Sequence, residues 1–333
     1  MNFTRHGALA ISLGTVALFS AHASAENSTL PTGATACALE VVVLGAGQDA
    51  GAPQLGNPQD MGARLLPTSL AVIDRENGQR FLLEATPAVT QQVHALDAIA
   101  PPDTETPGGL GLDAVLLTHA HIGHYLGLAQ FGFESASADG QLVLAMPRMA
   151  EFLRNNGPWS QLVEKGNIEI VELADGQLQP ISDIFGVWPI TVPHRDEYSE
   201  TVGYLMMTPQ RTALFVPDLD SWDEWEAASG DTLEGLLARV DYAFVDATFY
   251  DDNELIDENG DGRDMSAIPH PRVLDTMERL EALPAQVRAK VHFIHYNHTN
   301  PIRDAASKES TGVIARGFNV ARRGDRVCLV DGG

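Results

Sequence analysis

The feature that most constrains the fold is the segment LLTHAHIGHYLGL, residues 116–128, in which three histidines fall within six positions. It continues the apolar run LDAVLL, which has the composition of a buried strand. Alternate residues of a strand point to the same side, so His119 and His121 face one way, and His124 follows after a turn. Neutral imidazoles are ligands for zinc, iron and similar metals. The chain is therefore expected to fold so that a buried strand ends at a metal site.

The rest of the chain reads as two runs of strands, each followed by helices. In the first run, SLAVIDRENGQRFLLEATP predicts a hairpin that turns at Asn77-Gly78. In the second run, FGVWPITVPH, TVGYLMM and TALFVPD are strand candidates, and PRVLDTMERLEALP has helical spacing. This order predicts an α/β protein in which two mixed sheets pack together and helices flank them. No linker is long enough to divide it, so residues 26–333 are expected to form a single domain.

Composition and charge limit the classes of molecule that we expect the protein to bind. Of the 333 residues, 44% are hydrophobic and 20% charged, which is the balance of an ordinary globular protein. The formal net charge of −24 argues against nucleic acid as a partner, because phosphate binding needs clustered lysine and arginine. We expect a small-molecule substrate, and the oligomeric state is left open.

The first 25 residues have the layout of a secretory signal peptide. An apolar stretch follows Arg5, and the small-residue triplet Ala-Ser-Ala closes the segment. A membrane anchor is the alternative, but the apolar stretch is short for a span of roughly 20 residues. We expect an exported protein, periplasmic or secreted, without membrane contact after cleavage. In such a compartment Cys37 and Cys328 either form a disulfide or remain two separate buried thiols, and the sequence does not decide between these alternatives.

Further residues with metal-binding side chains also stand at the ends of predicted strands. His194 ends the run TVPH, Asp218 ends LFVPD, and His295 lies in FIHYN. Strand ends that converge on one edge of a sheet are where such scaffolds bind ligands. We therefore expect these residues to meet the histidines of residues 116–128.

With these residues in view, THAHIGH resembles the second motif of the metallo-β-lactamase superfamily, His-x-His-x-Asp-His. The order of Glu84, His194, Asp218 and His295 along the chain is similar to that family as well. The resemblance implies a four-layer αβ/βα sandwich with one or two metals in a groove at the sheet edge. By the same resemblance, His119, His121 and His194 would hold the first metal, and His124, His295 and a bridging Asp218 the second.

A second resemblance covers nearly all of the chain after the signal segment. The stretches VLGAGQDAGAPQ, GRDM and FIHYNHTNPI resemble the pyrroloquinoline quinone biosynthesis protein B family. Members of that family typically lack the His-x-His pair, which this chain has together with Asp218. The chain is thus similar to that family in scaffold and closer to the hydrolases in its metal ligands.

Gly123 stands where the hydrolases of the superfamily carry an aspartate ligand of the second metal. Glycine supplies no ligand, so the resemblance implies a second site that keeps two imidazoles and one bridging carboxylate and binds more weakly. Asp49 and Asp220 are the two carboxylates considered as replacements. We expect zinc, with one firm and one weak site, and iron or manganese as the alternatives.

Three residues are candidates for contact with the substrate. By resemblance to the phosphodiesterase branch, His270 would donate a proton to the leaving group; the alternative is a surface histidine beside Pro269. His298 would contact the substrate or be a polar loop residue. Arg195 would meet an anionic substrate or form a local salt bridge with Asp196 or Glu197.

The segment DENGDG, residues 257–262, matches the start of an EF-hand calcium loop. Asp257, Asn259 and Asp261 alternate as such a loop requires, but its twelfth position would be Ile268 instead of a bidentate glutamate. We therefore expect a solvated acidic loop and no calcium.

Three functions remain to be compared. The leading hypothesis is a metal-dependent hydrolase that acts on a small ester, lactone, lactam or phosphodiester through metal-activated water. The second is an iron-dependent oxygenase related to quinone cofactor biosynthesis, which the scaffold resemblance favours. The third is a non-catalytic protein that holds a ligand through one metal, and only Gly123 favours it.

Overall fold

The computed structural model describes residues 37–57, 60–102, 109–256 and 261–333. In chain order the strands of these residues are Cys37–Gly45 (β1), Ser69–Asp74 (β2), Gln79–Leu83 (β3), Ala114–Leu116 (β4), Gln141–Ala145 (β5), Ile168–Glu172 (β6), Gln179–Pro180 (β7), Gly186–Thr191 (β8), Val202–Met207 (β9), Thr212–Val216 (β10), Tyr242–Asp246 (β11), Val291–Ile294 (β12), Asn319–Val320 (β13) and Arg326–Asp331 (β14). The α-helices are Val89–Ile99 (α1), Ile122–Tyr125 (α2), Pro147–Asn155 (α3), Trp159–Glu164 (α4), Trp222–Ser229 (α5), Leu233–Ala238 (α6), Val273–Leu280 (α7), Ala285–Arg288 (α8) and Lys308–Ala315 (α9).

The described strands form two seven-stranded sheets. The first has the order β14-β1-β2-β3-β4-β5-β6, and the second β13-β12-β11-β10-β9-β8-β7. Each sheet is mixed, with antiparallel pairs in one half and parallel pairs in the other. In the first sheet the hairpin of β2 and β3 turns at Gly78, whose φ of 69° suits glycine. The predicted pair of packed mixed sheets with flanking helices is confirmed.

Successive side chains of β1 point to opposite faces of the sheet, and their contacts show how the sheets and helices are layered. Leu39, Val41 and Val43 are fully buried in the core that the two sheets share. Val42 and Leu44 point to the opposite face and pack in a second core with residues of α1, α3 and α4. Because both faces of the strand are covered, residues 41–44 read as the continuous apolar run VVVL instead of an alternating one.

The short strand β4 delivers the histidine segment to the edge between the sheets. Beyond it the chain leaves the first sheet, and the carbonyl of Thr118 accepts a hydrogen bond from the backbone N–H of Val202 at the start of β9. The hydroxyl of Tyr204 in β9 donates to the carbonyl of Leu117 at 2.5 Å. These bonds tie the end of β4 to the second sheet, so the histidines that follow lie between strand ends of both sheets.

Cys37 and Cys328 form a disulfide that joins β1 to the edge strand β14. Of the two states left open by the sequence, the structure has the bonded one. Within the described residues, no helix is long and apolar enough to cross a bilayer. Residues 1–25, and with them the predicted signal peptide, lie outside the described residues.

Candidate metal centre

The histidines and carboxylates predicted from the sequence gather at one edge of the sandwich. His119, His121 and His124 follow β4, His194 follows β8, Asp218 follows β10, and His295 follows β12. All of them except His121 are buried, although each has a polar or ionisable side chain. Burying so many polar groups is costly unless they have partners, so this cluster requires an explanation in hydrogen bonds or a bound ion.

The first predicted metal triad is present as a compact group. His119, His121 and His194 each offer a ring nitrogen within 4.8 Å of the other two. Nε2 of His119 lies 2.8 Å from Nδ1 of His121, and the two rings are nearly perpendicular. Two imidazole nitrogens aimed at one point are the arrangement that a tetrahedral metal needs from its ligands.

The other ring nitrogen of each of these histidines is held by a separate partner. Nδ1 of His119 lies 2.9 Å from Oγ1 of Thr118. Nε2 of His121 lies 3.0 Å from the carboxylate of Glu197, and Nδ1 of His194 lies 2.8 Å from that of Asp220. Such outer partners fix the ring orientation and raise the basicity of a metal-binding imidazole. Asp220 therefore orients His194 and does not replace the ligand that Gly123 lacks.

Asp218 is the centre of the cluster. Its Oδ2 lies 2.9 Å from Nε2 of His124, 3.3 Å from Nε2 of His295 and 3.5 Å from Nε2 of His119. Its Oδ1 lies 3.9 Å from Nε2 of His194, so the carboxylate reaches both predicted metal positions. His119, His124 and Asp218 also form a compact group of potential ligands. This is the position that a bridging carboxylate requires.

The pKa values show how strongly the cluster is coupled. Burial alone would raise the pKa of Asp218, but the neighbouring His295 and His124 hold it well below its usual range. Burial lowers the pKa of His119, and of His295 as well. For His124 the carboxylates of Glu84 and Asp218 outweigh burial and raise its pKa to about 10.

The donor set fits a metal. Nε2 of His295 is buried and has no hydrogen-bond partner in the described structure, although it faces Asp218. Five imidazoles around one buried carboxylate form a nitrogen-rich site with a single negative charge, which suits zinc and similar borderline metals better than calcium or magnesium. The His/Asp cluster is therefore a metal-binding site.

Glu84 lies beside His124, which is a predicted ligand of the second metal. It is fully buried, adopts a φ of 73°, and its Oε1 lies 3.4 Å from Nδ1 of His124. A backbone conformation of this kind is strained for a glutamate and persists where the surroundings hold it. The carboxylate is therefore a charge partner of His124 but forms no hydrogen bond with its Nδ1, unlike Asp220 with His194.

Gly123 is glycine because the chain leaves no room for a side chain. A Cβ at this position would lie 2.5 Å from the carbonyl oxygen of Asp49 and 2.9 Å from its Cα. The loop around Asp49 is held in place, since the backbone N–H of Gln48 donates to the carbonyl of Tyr296 at 3.0 Å. The sequence suggested an empty ligand position at Gly123. In the structure the backbone of Asp49 occupies that position.

His270 is buried in a polar network, not exposed as the alternative interpretation required. Its Nδ1 lies 2.8 Å from Oδ2 of Asp246 and 3.2 Å from Oγ1 of Thr248. The same hydroxyl lies 3.1 Å from Nδ1 of His295 and donates to Oδ1 of Asp246 at 2.7 Å. Burial lowers the pKa of His270, but the carboxylates of Asp246 and Asp218 outweigh it and the pKa is raised.

The position of His270 allows a second role besides proton donation. With His194 and Asp218 it forms a third compact group of potential metal ligands. Its Nδ1 lies 3.4 Å from Oδ1 of Asp218. The proton-donor role that the family resemblance implies stays a prediction.

Sequence reasoning missed the partners that orient these side chains. Asp246 ends the buried strand β11 as DYAFVD, just as Asp218 closely follows the strand β10, and this parallel could have identified it. Thr248 and Glu197 have no comparable signal in the sequence. Glu197 was considered only as a salt-bridge partner of Arg195, and in the structure it also binds His121.

The two predicted substrate contacts lie at the periphery of the centre. Arg195 is largely exposed, and its guanidinium lies 3.9 Å from the carboxylate of Glu197. His298 is partly buried, and its Nδ1 lies 2.7 Å from Oδ1 of Asn297. Both side chains have local partners, and their contact with a substrate stays a prediction.

Glu254 anchors the loop that carries His298, and its titration should be measurable. Its carboxylate accepts hydrogen bonds from the hydroxyl of Thr299 and from the backbone N–H of Tyr250. Burial raises its pKa from 4.5 to about 7, against the effect of these bonds. The folded state therefore holds this proton more tightly than the unfolded state.

We expect Glu254→Gln to remove a pH dependence of stability. Because the folded pKa is raised, the contribution of Glu254 is fully present below pH 4.5 and is lost as the pH rises through about 7. The unfolding free energy of the variant minus that of the natural protein should rise by up to about 3 kcal/mol between pH 5 and pH 8. Urea unfolding at the two pH values measures this, with Glu76→Gln as the exposed control. An equal difference between variant and natural protein at both pH values would contradict it.

The comparisons with known proteins agree with this geometry. A family model described as the beta-lactamase superfamily domain matches residues 79–296. The chain belongs to this superfamily. The match includes all the predicted metal ligands and Glu84, and the predicted family is confirmed. The expected metallo-β-lactamase-fold enzyme is confirmed at the level of family and fold, with its substrate unspecified.

Relatives within the superfamily carry one recurrent name. Coenzyme PQQ synthesis protein B from Xanthomonas campestris is 26% identical, and the match covers 87% of this chain and 100% of the relative. The protein of that name from Rhizobium meliloti is 29% identical and covers 87% and 98%. The predicted likeness to this family of cofactor-synthesis proteins is confirmed.

Solved structures of the superfamily show the same fold. Zinc-bound PqqB from Methylobacterium extorquens superimposes with a TM-score of 0.67 at 19% identity, covering 86% of this chain and 99% of that one. A diphosphatase from the PhnP family gives 0.58 at 19% identity, covering 87% and 96%. At these identities the likeness establishes the fold and not the activity.

The predicted absence of calcium is not tested. Residues 257–260 lie outside the described residues, and Asp257 and Asn259 are among them. Asp261 is described, at the edge of that segment.

Proposed function

We propose that this superfamily member is a metal-dependent hydrolase of a small ester, lactone, lactam or phosphodiester. The observation that carries the proposal is the inward orientation of the histidine rings. His119, His121 and His194 each have one nitrogen directed at the others, and a carboxylate or hydroxyl holds the second nitrogen. Such outer partners are typical of histidines that hold a metal, and the family match adds a hydrolase fold around them. We propose zinc as the metal, with one firm and one weak position.

The residues have distinct tasks in this proposal. His119, His121 and His194 would hold the first metal, which when bound would supply ionised water near neutral pH and polarise the bond under attack. Among the described residues, Asp218 is the carboxylate that faces the inner nitrogens of His124, His295 and His194, and its two oxygens would contribute to both metal positions. His270, oriented by Asp246, holds a proton for the leaving group. The raised pKa of His270 favours the protonated form that this step requires.

We also propose that the protein is exported. The first 25 residues support this by their composition, and the disulfide between Cys37 and Cys328 supports it because such bonds persist in oxidising compartments. The cleavage predicted before Glu26 would leave both cysteines in the mature chain.

Chelation should abolish hydrolysis, and zinc should restore it. Protein for this test is taken from the periplasmic fraction, where its intact mass reports whether the chain starts at Glu26. The substrates are p-nitrophenyl butyrate, a homoserine lactone, nitrocefin and bis-p-nitrophenyl phosphate. Turnover of at least one, lost in dipicolinate and recovered with one to two equivalents of zinc, is the expected result. Turnover that resists complete metal removal would contradict the proposal.

The names of the relatives favour one second candidate, an iron-dependent oxygenase acting on a quinone-type precursor. Its support is the full-length match to proteins named for coenzyme PQQ synthesis. Elemental analysis of protein from its own cells separates the two functions. Iron at one equivalent together with oxygen-dependent turnover would favour the oxygenase, and zinc or manganese the hydrolase.

A further inference from the structure

A cavity of about 500 Å³ opens beside the metal centre. His270 and Asp220 line it, so it borders both the predicted proton donor and the residue that orients His194. Its other walls come from the start of α5 and from α7. A group bound there would lie next to the bond that the proposed hydrolysis breaks.

The cavity is acidic. Four carboxylates line it, those of Asp220, Asp223, Asp252 and Asp275, together with two guanidinium groups, those of Arg272 and Arg279. Arg272 has no donors to spare for a ligand: its Nε donates to Asp252 at 2.7 Å, and its terminal nitrogens donate to the carbonyls of His270 and Met265. Its charge is matched by Asp252.

Arg279 is engaged even more fully. It pairs with Asp223 at 3.2 Å, with Glu234 at 3.0 Å and with Glu226. Three carboxylates thus surround one guanidinium, so this side of the cavity carries net negative charge. An anionic ligand would find no cation available among the residues that line it.

Asp275 is exposed on α7 and adds a carboxylate that forms no salt bridge with a described residue. Partial burial raises its pKa, the carboxylates of Asp252 and Glu278 add to this effect, and Arg272 opposes it. The two neighbouring carboxylates make the potential around Asp275 more negative, and the guanidinium of Arg272 offsets part of this. A positively charged ligand would be attracted to that space.

Two buried polar groups of the same wall are unpartnered. The indole Nε1 of Trp222 and the hydroxyl of Thr276 have no hydrogen-bond partner in the described structure, and both residues line the cavity. Each side chain is at least nine-tenths buried. Unsatisfied buried groups are costly, and of these two only the hydroxyl of Thr276 could accept a hydrogen bond from a cationic group, because the indole of Trp222 only donates.

A second space beside the centre has the same character. A second cavity of about 780 Å³ is bordered by His194. Asp175, Asp196, Glu200 and Asp231 line it, against one arginine, Arg148, which pairs with Asp196 at 3.1 Å. Both spaces that flank the metal centre therefore favour positive charge.

We propose that the cavity beside His270 binds a cationic group of the substrate, such as an ammonium, next to the ester, lactone or amide bond that is cleaved. This inference rests on the proposed hydrolase function and narrows its substrate class. It disfavours phosphodiesters and lactams that carry a free carboxylate, because both would bring negative charge into an acidic site.

Three hydroxamates with the same three-methylene chain and differently charged end groups test the proposal. They are 4-(trimethylammonio)butanohydroxamate, its uncharged isostere 5,5-dimethylhexanohydroxamate and the anionic glutaric monohydroxamate. The hydroxamate group anchors each one to the metal, and calorimetry on zinc-loaded protein gives the affinities. The cationic compound should bind about tenfold or more tightly than the neutral one, and the difference should shrink in high salt.

Asp275→Asn should weaken the cationic compound about fivefold and leave the neutral one unchanged. Asp183→Asn is the matched control, because Asp183 is exposed and lines neither cavity. Equal affinities of the three compounds, or tightest binding of the anionic one, would overturn the cationic subsite and leave the hydrolase standing. Failure of all three to bind zinc-loaded protein would show that the bound zinc has no open position, and this would overturn the proposed hydrolase function.

Discussion

Asp218→Asn should lower the catalytic efficiency of the zinc-loaded protein at least about a thousandfold, roughly 4 kcal/mol of transition-state stabilisation. The substitution keeps the shape of the side chain and removes its charge. Oδ2 of Asp218 lies within 3.5 Å of nitrogens of His119, His124 and His295, and it is the carboxylate shared by both metal positions. Zinc bound to the variant should fall below one equivalent after dialysis.

Asp139→Asn, at an exposed position, serves as the control for Asp218→Asn. Circular dichroism of both variants separates a loss of metal from a loss of fold. Asparagine keeps the shape of the buried Asp218 side chain, so a folded variant is expected. A folded variant that keeps its full zinc content and turnover would contradict the role of Asp218.

Gly123→Asp restores the aspartate of the hydrolase motif in the sequence. We expect that it does not create a stronger second metal site. A side chain at residue 123 must displace the backbone of Asp49, whose carbonyl oxygen would lie 2.5 Å from the new Cβ. Backbone cannot yield as a flexible side chain does, so we expect a loss of at least about 3 kcal/mol in unfolding free energy. Thermal unfolding and elemental analysis measure the two consequences.

Gly123→Ala isolates the steric part of this effect. It should destabilise the protein nearly as much, although it adds no charge. Gly312→Ala is the matched control: a Cβ there meets nothing within 4 Å, and alanine is favoured over glycine in α9 by up to about 1 kcal/mol. A Gly123→Asp variant that is as stable as the natural protein and gains a second zinc would show that the loop of Asp49 moves aside.

Most of the metal centre could be predicted from the sequence because its residues sit directly after buried strands. The strand pattern places His194 after β8 and His295 after β12, and parallel strand ends bring them to one edge. The histidine segment could also be predicted from local sequence, because His119 and His121 need only the alternation of an extended chain to face the same point.

The rest depends on contacts between distant parts of the chain, which have no local signal. Asp49 meets Gly123 across more than 70 positions, so the sequence showed only that a ligand was missing, not what fills its space. Glu197 reaches His121 from a surface loop. The pairing of Cys37 with Cys328 depends on β14 lying beside β1, which spacing alone does not reveal.

The bond between Cys37 and Cys328 also makes a closed ring of nearly the whole described chain. A protease that cut one surface loop would leave both fragments covalently tied, and the nicked protein would run as a single species until reduced. A force applied beyond the two cysteines would be borne by sulfur, and the strands between them would not be loaded. The residues of the metal centre lie between the two cysteines, so neither the cut nor the force need disrupt it.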